Sequence, residues 1–150
     1  MEKHFELTDE TIEVAGNTMH RIRCTRDCKW AKTGDLGGFI EKEDNLSGDA
    51  WVADNARVYG DARVYGDARL AGKARVAGND DHCGFDVFGS IGRHTHAYRT
   101  SDGGVEITCG CFHGDIEAFE AKVRHTHGDS QYAREYLAIA HVIRVKFGLA

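Results

Sequence analysis

Aliphatic residues recur every six positions through the middle of this chain. From Leu46 the sequence reads, in sixes, LSGDAW, VADNAR, VYGDAR, VYGDAR, LAGKAR, VAGNDD. The first position is always aliphatic (Leu46, Val52, Val58, Val64, Leu70, Val76), and the fifth is alanine in five hexads, at Ala50, Ala56, Ala62, Ala68 and Ala74. A helix places apolar residues three or four apart and a strand every second one, so a strict period of six fits neither and predicts a coiled chain. Ile40 lies one hexad upstream in phase, which extends the segment to 40–81.

The pattern changes on both sides. Residues 11–15 and 18–24 alternate apolar and polar around Gly16-Asn17, a hairpin signal, so residues 1–39 read as a β cap that turns into the hexads through GDLGGF. Beyond Asp81 the hexads stop and residues 82–150 read as a separate module. Residues 93–100 and 105–112 flank Ser101-Asp102-Gly103-Gly104, the loop of a second hairpin. Two helices follow. The first opens at Asp115, buries Ile116, Phe119 and Val123, and stops at Gly128. The second opens at Asp129 and aligns Tyr132, Tyr136, Ile139, Ala140, Ile143 and Phe147 before Gly148.

The hexads, with the stretch from Phe5 through Arg26 and GDLGGFIEKEDNLSGDAWVADNARVYGDA, resemble hexapeptide-repeat, polymer-forming proteins of phages and prophages over about half the chain. That resemblance implies a mainly β fold with an α+β tail: a short left-handed parallel β-helix of about two coils between the N-terminal cap and a hairpin-plus-two-helix module. Residue i would then lie beneath residue i+18, stacking Leu46 on Val64, Val52 on Leu70 and Val58 on Val76. Two coils leave open ends and broad flanks, so caps at both ends and a homo-oligomer follow, a trimer by analogy. Tyr59 and Tyr65 would then sit near the subunit interface. The arginines at 57, 63, 69 and 75 read as a solvated face. The tail, from GSIGRHTHAYRTSDGG onward, also looks like phage proteins of unassigned role.

Composition narrows the function classes. Eighteen glycines and no proline suit a chain of tight corners. No apolar run approaches the length of a membrane span, and no secretory leader is legible at the start, so a cytoplasmic setting is expected. Five cysteines in no scaffold spacing agree with reduced thiols. A net charge of −5 argues against binding a nucleic-acid polymer.

Three groups could carry chemistry. Gly89-Ser90-Ile91-Gly92-Arg93 offers close backbone approach, a hydroxyl and a bidentate guanidinium for an anion, and strand alternation would put His94, His96 and Tyr98 on one face beside it. With Arg99, this yields a candidate ligand site of Ser90, Arg93, His94, His96, Tyr98 and Arg99. Cys109-Gly110-Cys111-Phe112-His113 with His125 and His127 forms a thiol and imidazole cluster, but Cys-x-Cys is not the usual zinc spacing, and both thiols read better as small core residues. No metal or cofactor is expected. Many hexapeptide-repeat proteins are acyltransferases with a histidine base, yet none of the nine histidines falls within the hexads, which argues against an enzyme. The resulting expectation is a phage-encoded, oligomeric, non-catalytic protein that captures a small anionic immune signal, a cyclic or ADP-ribose-type nucleotide. The rivals are an acyltransferase and a structural or partner-binding scaffold.

Overall fold

The computed structural model describes residues 3–149. β1 (Phe5–Val14) and β2 (Asn17–Cys24) form the first hairpin, its turn at Ala15-Gly16, one residue earlier than the sequence suggests. β3 (Leu36–Ile40) leads into the hexads, which contribute β4 (Trp51–Val52), β5 (Arg57–Val58), β6 (Arg69–Leu70) and β7 (Arg75–Val76). Four more strands follow, β8 (His82–Phe88), β9 (Arg93–Arg99), β10 (Val105–Cys109) and β11 (Phe112–Asp115), and then α1 (Ile116–His127) and α2 (Gln131–Phe147).

Eighteen-residue stacking holds in the parallel pairs. Ile40 pairs with Val58, Val58 with Val76, Val52 with Leu70, and Leu46 with Val64. Amides one layer apart close these rows, among them Ser47 N–H to the Val64 carbonyl at 2.9 Å and Arg57 N–H to that of Ala74 at 2.9 Å. Every one of these aliphatic side chains is fully buried.

The expected fold class is nevertheless corrected. The protein is mixed α+β, and the described residues form no left-handed parallel β-helix. Its strands lie in a five-stranded mixed sheet (β1-β2-β3-β5-β7), a four-stranded antiparallel sheet (β11-β10-β9-β8) and a two-stranded parallel sheet (β4-β6), none of them closed or wound into a solenoid. The physical reason is that each hexad row pairs over only two residues, and the flanking antiparallel hairpins and the two helices take over the rest of the architecture.

The tail differs from the expected hairpin-plus-two-helix module in the same direction, because β8 and β11 widen the hairpin into a four-stranded sheet. One face of this sheet lies on the hexads. Tyr98 belongs to their core cluster, the Thr108 hydroxyl donates to the Arg69 carbonyl at 2.6 Å, and Ala74 bridges to Thr100. The other face, with Ala97, Val105, Ile107 and Cys109, packs on Ile116, Phe119, Val123, Tyr136, Ile139 and Ile143 of the helices.

Local signals explain the helices. Asp115 caps α1 by accepting from the Ala118 N–H at 2.8 Å, and α1 ends at Gly128. Ser130, rather than Asp129, caps α2, and Gly148 in the left-handed region ends it. Tyr132, expected inside, is exposed, and Arg69 is not solvated: its guanidinium donates to the Gly110 and Phe112 carbonyls at 3.3 and 3.4 Å and lies 5.0 Å over Trp30.

Leu70→Ala should cost about 2–5 kcal/mol, because it empties a buried layer, whereas Tyr65→Ala on the open flank should stay within about 0.5 kcal/mol. Urea unfolding checks both, as a lower midpoint at unchanged slope for the first and no shift for the second.

Candidate functional site

Sheet alternation sends the six residues of the sequence-predicted site in three directions. Ser90 and Arg93 are exposed at the β8–β9 turn. His94, His96 and Tyr98 do share a face of β9, but that face is turned onto the hexads and buried. Arg99 points the opposite way, 4.9 Å over the Phe147 ring and 3.3 Å from the Asp81 carboxylate. They do not form one surface.

Arg93 instead borders a cleft of about 600 Å³ between the β10–β11 turn and the two helices. Cys109, Cys111, Phe112 and His113 line it from the strands, and Phe119, Lys122, Val123, Thr126, His127 and Tyr136 from the helices. The thiol and imidazole cluster read in the sequence thus contributes Cys109, Cys111, His113 and His127. Cys111 is exposed at the turn rather than packed in the core, while Cys109 is buried and accepts from the Thr95 hydroxyl at 3.2 Å.

Two glycines set the cleft's shape. Gly110, at φ +57°, lets the Arg93 guanidinium lie flat across it, since a Cβ there would sit 2.8 Å from an Arg93 Nη. Gly89, at φ +83°, leaves room for the Tyr136 hydroxyl, which donates to the Phe88 carbonyl at 3.3 Å, while the Gly89 N–H donates to Glu135 at 3.0 Å. The β8–β9 turn is therefore fastened to α2, and Arg93 with it.

Aromatic rings form the floor. Phe112 meets Phe119 at 5.6 Å, Phe119 meets Tyr136 at 5.9 Å, and His127 stacks on Tyr136 at 5.6 Å. Burial, and next the Cys109 thiol, push the Tyr136 phenol up to about 12. Arg93 and Lys122 join no ion pair among the described residues. The cleft therefore presents two cations outside any of those ion pairs beside an aromatic wall. Lys122 is not singled out by the sequence and Tyr136 reads there only as a residue of the second helix's apolar face, because both come from helices far along the chain; the clustering of Cys109 to His113 is the signal available.

Among the described residues no group of three or more His, Cys, Asp or Glu side chains is placed to hold a metal ion, and no helix is long and apolar enough to cross a membrane. No protein-family model and no curated protein matches the chain.

A raised tyrosine keeps its neutral form in the folded state, so its contribution to stability is complete below pH 10 and is lost as pH climbs toward 12. Tyr136→Phe should accordingly remove one late-ionising phenol from an alkaline absorbance titration and flatten part of the alkaline fall in stability. Loss of a phenol that ionises near pH 10 instead would place Tyr136 in solvent.

Proposed function

We propose that this protein is a non-catalytic binder of a small anionic ligand of nucleotide type, held in the cleft beside Arg93. The observation that carries this reading is the pairing of two unpartnered cations, Arg93 and Lys122, with an aromatic floor in a single cleft of about 600 Å³. That volume falls in the range of small-molecule sites. A guanidinium offers two parallel donors to a phosphate and the ammonium adds a mobile point charge. Phe112 and His127, the latter backed by Tyr136, line the cleft with aromatic surface for a base. Of the six residues expected from sequence, the proposal keeps Arg93 as a direct contact.

The wider setting proposed for this binder is capture of an immune nucleotide, of cyclic or ADP-ribose type, by a phage-encoded homotrimer in the cytoplasm of the host bacterium. Support for it comes from the resemblance of the hexads and cap, and from Tyr65, which is 60% exposed on the hexad flank and available for a subunit contact. An acyltransferase reading has less support, because no histidine lies on the hexads between Leu46 and Asp81.

Calorimetry with a panel of cyclic and ADP-ribose-derived nucleotides tests the proposal. Loss of a charge-assisted contact in Arg93→Ala should cost about 1.5–3 kcal/mol, roughly a ten- to hundredfold loss of affinity. Lys122→Ala should weaken binding in the same sense, and Ser90→Ala, outside the cleft, should leave it unchanged. Absence of heat for every nucleotide would end the proposal.

A further inference from the structure

Three imidazoles lie in line in the seam between the four-stranded sheet and the hexads. His94 Nδ1 donates to the Asp86 carboxylate at 2.5 Å, His94 Nε2 and His96 Nδ1 are 2.9 Å apart, His96 Nε2 and His82 Nδ1 are 2.8 Å apart, and His82 Nε2 faces the Asn79 side chain at 3.4 Å. The rings stack at 5.1 Å on either side of His96. Gly84 on β8 makes this fit, since a Cβ there would lie 2.8 Å from both His94 and His96.

The all-neutral chain has one consistent direction. With Asp86 accepting from His94 Nδ1, the free His94 Nε2 accepts from His96 Nδ1–H, and His96 Nε2 accepts from His82 Nδ1–H. His82 Nε2 is then an acceptor, and the Asn79 amide completes the chain by turning its NH₂ toward it. An added proton on His96 would set two N–H groups against each other at His82 unless both His82 and Asn79 reorganise. His96 is wholly enclosed, with only other imidazoles as partners for its ring nitrogens.

We propose that the Asn79, His82, His96, His94 and Asp86 chain is an acid-labile latch that holds β8 and β9 against the hexads and releases them when a proton enters the seam. The charged groups around it fit this role. Lys146 of α2 reaches the Asn79 carbonyl at 3.5 Å and opposes a positive charge on His82, while Asp81 acts the other way. Arg63 shares a pocket with Asn79 on the hexad side, and Asp86 lies close to Gly66. Farther along β9, Tyr98 faces Glu106, Arg69 and Asp54. Among the described residues only Asp86, which is more than half exposed, offers a carboxylate directly to a ring of the chain, and it does so at one end.

The sign follows from burial. Burial, then the neighbouring His82 and His94, hold His96 well below its ordinary 6.5, and burial with Lys146 lowers His82. The docked sheet therefore has its full advantage above pH 6.5 and loses it as pH falls. Each proton taken up on opening raises the opening constant by about tenfold per pH unit. The inference does not depend on the cleft.

Hydrogen exchange of the full chain at pH 7.5 and 5.5, corrected for intrinsic chemistry, tests it. The amides of β8 and β9 should open about tenfold or more often at the lower pH, with the hexad amides between Leu46 and Leu70 unaffected. His96→Phe should shrink the difference to the part that His82 leaves. Nitrogen-detected titration of the wild-type histidines gives a second reading that needs no variant: His96 should stay neutral while the sheet is closed. Equal acceleration across the hexads, no acceleration at all, or a His96 that charges near pH 6.5 in a closed sheet would each overturn the latch.

Discussion

Apolar side chains stacked eighteen residues apart are the constraint on which the remaining structure rests. Each hexad buries its aliphatic residue, and the first five also bury the alanine at the fifth position, too little to hold a turn of chain by itself. Burial becomes complete only when Ile40, Val58 and Val76 form one column while Val52 with Leu70 and Leu46 with Val64 fill the layers beside it. Such a column has two open ends. The N-terminal hairpin closes one with Phe5, Ile22 and Cys24, and β9 closes the other with Tyr98. His4 donates a ring N–H to the Ala50 carbonyl at 2.7 Å, and Asn45 donates to the Gly60 and Ala62 carbonyls, so these two polar side chains of the column are partnered.

From that closure the functional surfaces follow. The four-stranded sheet is covered on both sides, and alternation along β9 gives each side its own chemistry. His94, His96 and Tyr98 face the hexads, while Thr95, Ala97 and Arg99 face the helices. Because α1 and α2 rest on the second face, the cleft opens at the sheet's edge, where the β10–β11 turn meets Phe119 and Tyr136. The histidine seam and the cleft are thus separate consequences of one sheet docked between two layers.

Much of the local structure is legible in the sequence. The first hairpin, the loop at Ser101 to Gly104, and the helix limits at Asp115, Gly128 and Gly148 follow from short-range rules, the eighteen-residue register follows from the resemblance of the hexads, and the structure carries them. What escaped was non-local. β8 exists because β9 folds back across the Phe88 to Gly92 turn, and nothing within residues 82–88 announces that partner. The face shared by His94, His96 and Tyr98 was read correctly, but alternation cannot say which face meets solvent, and the hexads claimed this one. The fold class failed for a related reason: the repeat describes its own rows, whereas the class depends on the hairpins and helices attached to them.

The central claim is that hexads and tail form one folding unit through the seam around Tyr98 and Arg69. Both tryptophans, Trp30 and Trp51, lie on the hexad side, whereas the two helices dominate ellipticity at 222 nm. Urea unfolding at pH 7.5, followed by tryptophan fluorescence and by ellipticity in the same samples, should give coincident transitions. Helices that melt at a different midpoint from the tryptophans would contradict the account.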